Sequence, residues 1–267
     1  MNYSYGFIGA GNMGGALAQA VVRSVGGKNV MISCKNPKNA EMRAAELGCA
    51  ASDNIRISEH CDYIFIGVKP QMAADLLGSI APCLAARTKP FVLVTMAAGI
   101  SCRKIAELAG GDYPVMRIMP NTPAAIGEGM ILCTRNSKVK DSDFKNLCSA
   151  LSAAGALDEL DERLIDAGSA LSGCGPAFVY LFIEALADGG VACGLSRQKA
   201  LEYAAKTVVG SAQMVLSTGK HPGQLKDAVC SPAGSTIEGV RTLEDKGFRS
   251  AAINAVIEAY KKTKALG

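Results

Sequence analysis

A short apolar stretch, Tyr5-Gly6-Phe7-Ile8, runs directly into Gly9-Ala10-Gly11-Asn12-Met13-Gly14, and a helical pattern through Leu17, Ala20 and Val21 follows. This is G-x-G-x-x-G after a strand and before a helix, the context in which that spacing constrains a fold. Gly9 allows a sharp turn, Gly11 a close approach of backbone to a pyrophosphate, and Gly14 close packing of helix on sheet. Phosphates would rest against unpaired N–H groups at the helix start, where the macrodipole also favours negative charge. An ordinary glycine-rich turn has the same spacing. The flanking strand and helix favour the nucleotide cradle over it.

Strand-like and helix-like segments alternate through the first half of the chain. Residues 29–33 read as a second strand, 63–68 as a buried parallel strand, 91–96 as another and 115–118 as a short one. Between them, 40–47, 71–81 and 101–109 read as helices. The alternation predicts an α/β fold: an N-terminal doubly wound parallel sheet of the Rossmann type. From about residue 161 strand signals vanish. Pro176 suits the first position of a helix through 191, and Ser196 can cap a long helix ending near Gly219. Two more helices follow, over 237–246 and 248–264. The expected division is residues 1–160 as a dinucleotide-binding domain and 161–267 as an all-helical substrate-binding and dimerisation domain. The segment Ala185-Leu186-Ala187-Asp188-Gly189-Gly190 is apolar on more than one side, which points to burial in an oligomer.

Composition removes several function classes. The 267 residues carry a formal net charge of +4, with basic residues scattered rather than striped among aromatics, so no nucleic-acid surface is expected. Ten cysteines are dispersed without a C-x-x-C pair, and the histidines are His60 and His221, so no metal site is expected. Dispersed thiols suit a reducing compartment. With no secretory pattern and no run of about eighteen apolar residues, the expectation is a cytoplasmic protein without a membrane partner.

The end of the second strand decides the nicotinamide cofactor. An NAD site places an acid there, about twenty residues past the glycines, for the ribose 2′-hydroxyl. This chain has Ile32-Ser33-Cys34-Lys35-Asn36-Pro37, with no acid. Ser33, Lys35 and Asn36 would receive a 2′-phosphate through hydrogen bonds and charge, so NADP(H) is preferred, with NAD(H) as an allowed alternative. The competing view is that they are turn residues around Pro37.

The second half carries a resemblance. Leu171-Ser172-Gly173-Cys174-Gly175-Pro176-Ala177, the 185–190 segment, His221-Pro222-Gly223-Gln224-Leu225-Lys226-Asp227 and Ser231-Pro232-Ala233-Gly234-Ser235-Thr236 occur in order. With Val68-Lys69-Pro70 and Met119-Pro120-Asn121-Thr122-Pro123, they resemble the pyrroline-5-carboxylate reductase family over essentially the whole chain. The resemblance implies NAD(P)H-dependent reduction of the cyclic imine 1-pyrroline-5-carboxylate to L-proline, the last step of proline biosynthesis.

It also implies residue roles. Ile8, Gly9, Ala10, Gly11, Asn12, Met13 and Gly14 would form the phosphate loop. Ser33, Lys35, Asn36 and Asn54 would lie at the adenosine ribose. Val68, Lys69 and Pro70 would line the cofactor, and Met96, Ala97, Ala98 and Asn121 its nicotinamide half. Ser231, Gly234, Ser235 and Thr236 would hold the substrate, with Thr236 as the polar group nearest the reacting centre. The implied assembly is an interlocked homodimer whose sites are completed across the dimer, with dimers joining into a larger ring. Cys174 and Ala233 depart from the family's usual Ser and Gly; Ala233 costs stability if its φ is positive.

The residues themselves leave alternatives. Ser235 or Thr236 could simply cap a helix, Asn121 could stabilise its own turn, and Tyr180 reads as core. Another oxidoreductase of this architecture, a β-hydroxyacid dehydrogenase, places a Lys on the helix after the glycine-rich segment to protonate a carbonyl oxygen. Residues 176–181 contain none. A broader imine reductase and a non-catalytic nucleotide sensor remain compatible with the fold.

Overall fold

A computed structural model describes residues 5–265; the outer ends of the two expected domains, 1–4 and 266–267, lie outside the described residues. The strands are β1 (Tyr5–Ile8), β2 (Val30–Ser33), β3 (Ala50–Ala51), β4 (Tyr63–Ile66), β5 (Val92–Thr95), β6 (Val115–Met119), β7 (Gly129–Arg135) and β8 (Gly155–Glu159). They form one sheet in the order β3-β2-β1-β4-β5-β6-β7-β8, parallel throughout except for β6 against β7. The helices are α1 (Asn12–Val25), α2 (Pro37–Leu47), α3 (Asn54–His60), α4 (Ala73–Ala85), α5 (Cys102–Leu108), α6 (Asp141–Leu151), α7 (Glu162–Ser172), α8 (Gly175–Ala192), α9 (Arg197–Thr218), α10 (Pro222–Ala228), α11 (Ser235–Asp245) and α12 (Phe248–Lys264).

Strands β1, β2, β4 and β5 are buried at every position, as helices on both faces of a parallel sheet require. Successive side chains face opposite ways. Phe7, Phe65 and Val94 pack with Leu17, Val21, Leu147 and Leu151 on one face. Ile8, Ile64, Ile66 and Leu93 pack with Ile57, Leu77, Ile80 and Ile105 on the other. The register pairs Tyr5 with Tyr63 and Phe7 with Phe65, so two ring stacks, with centroids 5.0 and 4.1 Å apart, cross β1 and β4.

The five expected strands form, and β3, β7 and β8 join them. The sheet is therefore not wholly parallel. β7 reverses because the short connection from β6 cannot supply a crossover. α4 runs four residues past the expected end and contains Pro82. The carbonyl that loses its donor belongs to Gly78, which is exposed, so solvent can take that bond. α9 begins after Ser196, whose Oγ accepts from Lys199 N–H, and ends at Gly219 in the left-handed region, as its sequence predicts.

The chain forms two compact units. One runs to Cys174 and takes in the chain again from Ala259; the other is Gly175–Glu258. α7 thus packs with the first unit, fourteen residues beyond the sequence-derived boundary at 160/161. The cause is polar as well as apolar. Arg117 on β6, its side chain 3 % exposed, meets Asp166 on α7 at 2.5 Å. Ile165 and Ala170 of the same helix are fully buried.

The second unit has little core of its own. Ala187, Ala200 and Ala204 are its buried hydrophobics among the described residues, with Ile183 and Val191 packed against them. Tyr180, expected in the core, is 59 % exposed, and Leu181, Val209 and Leu216 are more so. Residues 162–192, counted through the turn at 173–174, are long and apolar enough to cross a membrane by length and composition alone. The stretch is two helices, and the first is committed to the sheet through Asp166.

The Arg117–Asp166 pair gives a direct test of that anchoring. Asp166→Ala should lower unfolding free energy by about 3 kcal/mol in urea denaturation, because a buried guanidinium loses its partner. Adding Arg117→Met to Asp166→Ala should recover much of that loss.

Candidate functional site

The order of the sheet reverses between β1 and β4, and the crevice beyond their carboxyl ends is where α/β sheets bind ligands. Gly9 (φ 95°) turns the chain out of β1. A Cβ there would lie 2.9 Å from the carbonyl carbon and oxygen of Gly67, the residue after β4. A Cβ on Gly14 would strike the Gly9 carbonyl oxygen, while one on Gly11 would meet nothing within 4 Å. Gly9 and Gly14 are therefore demanded by packing, and Gly11 faces open space. The N–H groups of Gly9 and Ala10 both donate to Ser33 O at 3.0 Å, tying the loop to the end of β2.

Two grooves flank β2. One of about 840 Å³ is lined by Gly9, Ala10, Gly11, Lys35, Asn36 and Arg43. The other, about 920 Å³, includes Ile8, Ser33, Lys35, Asn54, Val68 and Arg56. Ser33 is buried and its Oγ donates to Asn54 Oδ1 at 2.7 Å, leaving the Asn54 amide hydrogens for another acceptor. Asn36 Oδ1 accepts from Lys38 N–H at 3.0 Å and caps α2, the turn role that its sequence also allowed. Lys35 is exposed and forms no ion pair among the described residues. Asn12 and Met13 open α1. Lys69 is exposed and Pro70 begins a short 3₁₀ turn.

Met96 and Ala98 follow β5 half-buried, and Ala97 between them is buried, its N–H on Thr95 Oγ1. Asn121 is a clamp within the first unit. Its Nδ2 donates to Ser172 O at 3.0 Å and its Oδ1 accepts from Met130 N–H at 2.9 Å. One amide hydrogen remains for anything else. Glu162 Oε1 accepts from Cys102 N–H at 2.7 Å. Burial first, then the Glu162 carboxylate, pushes the Cys102 thiol up to about 12, so it stays protonated.

The helical unit holds the other group of expected residues. Gly234 occupies the N-cap of α11 and no side chain caps that helix, so neither Ser235 nor Thr236 acts as the cap. Ser231, Ser235 and Thr236 are exposed, and their hydroxyls have no hydrogen bond among the described residues. The loop is shaped by Gly234 N–H on Ser231 O, at 3.0 Å. Ala233 has φ 55° and is the one non-glycine residue with positive φ among those described. His221 Nδ1 accepts from Gly223 N–H at 3.1 Å and caps α10.

The first unit's arrangement fits a dinucleotide: a glycine loop, open N–H groups at α1, and Lys35 and Arg43 in the groove beside β2, whose end carries no acid. Sequence reasoning missed Arg43 and Arg56, because nothing in their spacing marks them as groove residues. The fold and cradle define a Rossmann-type dinucleotide-binding protein with a helical second unit.

A family described as pyrroline-5-carboxylate reductase dimerisation matches residues 162–266, and one described as NADP oxidoreductase, coenzyme F420-dependent, matches 4–99. Pyrroline-5-carboxylate reductase of Glycine max is 40 % identical, covering 99 % of this chain and 96 % of its relative. That of Escherichia coli K12 is 38 % identical, covering 100 % and 99 %. The crystal structure of Plasmodium falciparum pyrroline carboxylate reductase with NADP bound is 35 % identical, with a TM-score of 0.89 over 100 % of this chain and 98 % of that one. The chain belongs to the pyrroline-5-carboxylate reductase family.

The strain at Ala233 is measurable. Ala233→Gly should raise thermal stability, with the relief of about 1 kcal/mol partly offset by the greater freedom of Gly in the unfolded chain. A fall in melting temperature would show that the Ala methyl packs usefully.

Proposed function

We propose that this chain reduces 1-pyrroline-5-carboxylate to L-proline with NADPH as preferred reductant, the last step of proline biosynthesis. The observation that carries the reading is a glycine cradle at the sheet's switch point together with an uncapped α11 whose first hydroxyls are free. Residues 8–14 hold the cofactor diphosphate. Ser33, Lys35, Asn36 and Asn54 hold its adenosine end, and residues 68–70, 96–98 and Asn121 lie along the rest. Bound NADPH supplies the hydride.

The segment 231–236 does the remaining work. Its small residues leave the first N–H groups of α11 open to the substrate carboxylate. Ser231, Gly234 and Ser235 fix that carboxylate, and Thr236 directs its hydroxyl at the ring nitrogen as orienting donor or proton relay. The demand on it is modest. A cyclic imine is fairly basic and arrives with its own proton, so a chain with histidine committed to a cap loses nothing. A carbonyl substrate would become an alkoxide and need a stronger acid, which the 176–181 stretch lacks.

The helices that follow α7, within the expected 161–267 domain, do the work of dimerisation and substrate binding. A core of three alanines beneath exposed Tyr180, Leu181 and Leu216 cannot hold two long helices in water, and a second copy supplies the missing contacts. The dimer is interlocked, each site is completed by the partner, and dimers join into a ring. The same demand accounts for the apolar 162–192 stretch without a bilayer. Ten free thiols suit a cytoplasmic location.

The test is a mixture of pure protein, NADPH and the pyrroline carboxylate, followed by loss of nicotinamide absorbance. Turnover is expected, and Thr236→Val should lower kcat at least about tenfold while leaving NADP affinity within about twofold. Tight cofactor binding without turnover would favour a nucleotide sensor. Collapse of cofactor affinity in Thr236→Val would move that loop to the wrong site.

A further inference from the structure

Arg43, on α2, lies flat against the backbone of Gly15 in α1. A Cβ built on Gly15 would lie 2.5 Å from the Cζ, Nε and Nη2 atoms of Arg43. Three guanidinium atoms equidistant from one point describe a plane lying face-on to the helix, where any side chain would displace it. Gly15 is buried and Arg43 half-buried, so the seat is formed before any ligand arrives. Among the described residues Arg43 has no ion pair and no hydrogen bond from its guanidinium. Glu46 lines the same groove but is exposed and does not pair with it.

The groove holds a second unpaired cation. Lys35, two residues past the end of β2, lines it together with Gly9, Ala10 and Gly11. The ribose of a dinucleotide lies at the end of the second strand, and the diphosphate at the head of the first helix. Arg43 and Lys35 line this groove with Asn36, whose Oδ1 caps α2 and whose amide hydrogens form no bond among the described residues. A planar fork held in place and a mobile ammonium beside it match a phosphate monoester dianion.

We propose that Arg43, seated on Gly15, and Lys35 together grip the cofactor's 2′-phosphate and set the preference for NADP(H) over NAD(H) in this chain. The inference rests on the reading of the site as a reductase cradle, and it makes Gly15 a specificity residue through the side chain that it accommodates. Arg43 binds through its fork. Arg43→Lys keeps the charge but loses both the plane and the paired donors, so it is not a conservative change here.

The experiment is calorimetric titration of the full-length protein with NADP⁺, NAD⁺, adenosine 2′,5′-bisphosphate and 5′-AMP. Wild type should bind NADP⁺ and the bisphosphate more tightly than NAD⁺ and 5′-AMP. Arg43→Met should weaken the two 2′-phosphorylated ligands roughly tenfold to a hundredfold and the other two less than about twofold. Arg43→Lys should lose an intermediate amount. Gly15→Ala, with its fold checked by circular dichroism, should reproduce the selective loss by displacing the guanidinium. Equal weakening of NADP⁺ and NAD⁺ in Arg43→Met, or no weakening of either, would overturn the proposal. Failure of wild type to bind either dinucleotide would instead overturn the cradle reading itself.

Discussion

The site depends on a contact between two stretches of bare backbone. Gly9, leaving β1, and Gly67, leaving β4, pass so close that neither position has room for a side chain. β1 and β4 are neighbours at the place where strand order reverses, so their chains diverge beyond the sheet and open a crevice. The aromatic stacks of Tyr5 on Tyr63 and Phe7 on Phe65 hold those strands in register from below. A slip of that register would separate the two glycines and close the cradle.

α7 connects this scaffold with the rest of the chain. It opens the segment matched by the dimerisation family, yet its buried residues and Asp166 belong to the sheet's unit. Two polar anchors fix it: the Arg117–Asp166 pair, and the Asn121 amide on the carbonyl of its last residue, Ser172. A buried guanidinium and a buried amide are costly to leave unpaired, so they specify one docking of α7 more sharply than apolar contact does. The helices that follow contrast with it. Their faces remain apolar and exposed, which is the physical mark of a surface that another copy must cover.

The 231–236 loop concentrates local departures from ordinary backbone economy. α11 begins without a side-chain cap, two hydroxyls at its head are unspent, and Ala233 sits in the left-handed region. Strain and open donors persist where the surrounding chain over-determines them, and such features gather at binding sites. The same loop with a capping Ser or Asp in place of Gly234 would be a better helix start.

The sequence by itself determined the elements whose pattern is local. The apolar runs of β1, β2, β4, β5 and β6, the glycine spacing, the cap at Ser196 and the stop at Gly219 depend on neighbours a few residues away, and all were legible. β7 and β8 were not, because their pairing is set by which edge of the sheet remained open. α3 and α10 are one or two turns long, too short for helical periodicity to show. Tertiary structure alone decided where α7 docks, since Arg117 and Asp166 are far apart in the chain. It alone seated Arg43 on Gly15, and it alone showed that Asn36, Asn121, Glu162 and His221 spend hydrogen-bonding capacity on the backbone. Those outcomes turn on distances between residues that the one-dimensional pattern does not relate, while burial and hydrogen-bond satisfaction relate them strictly.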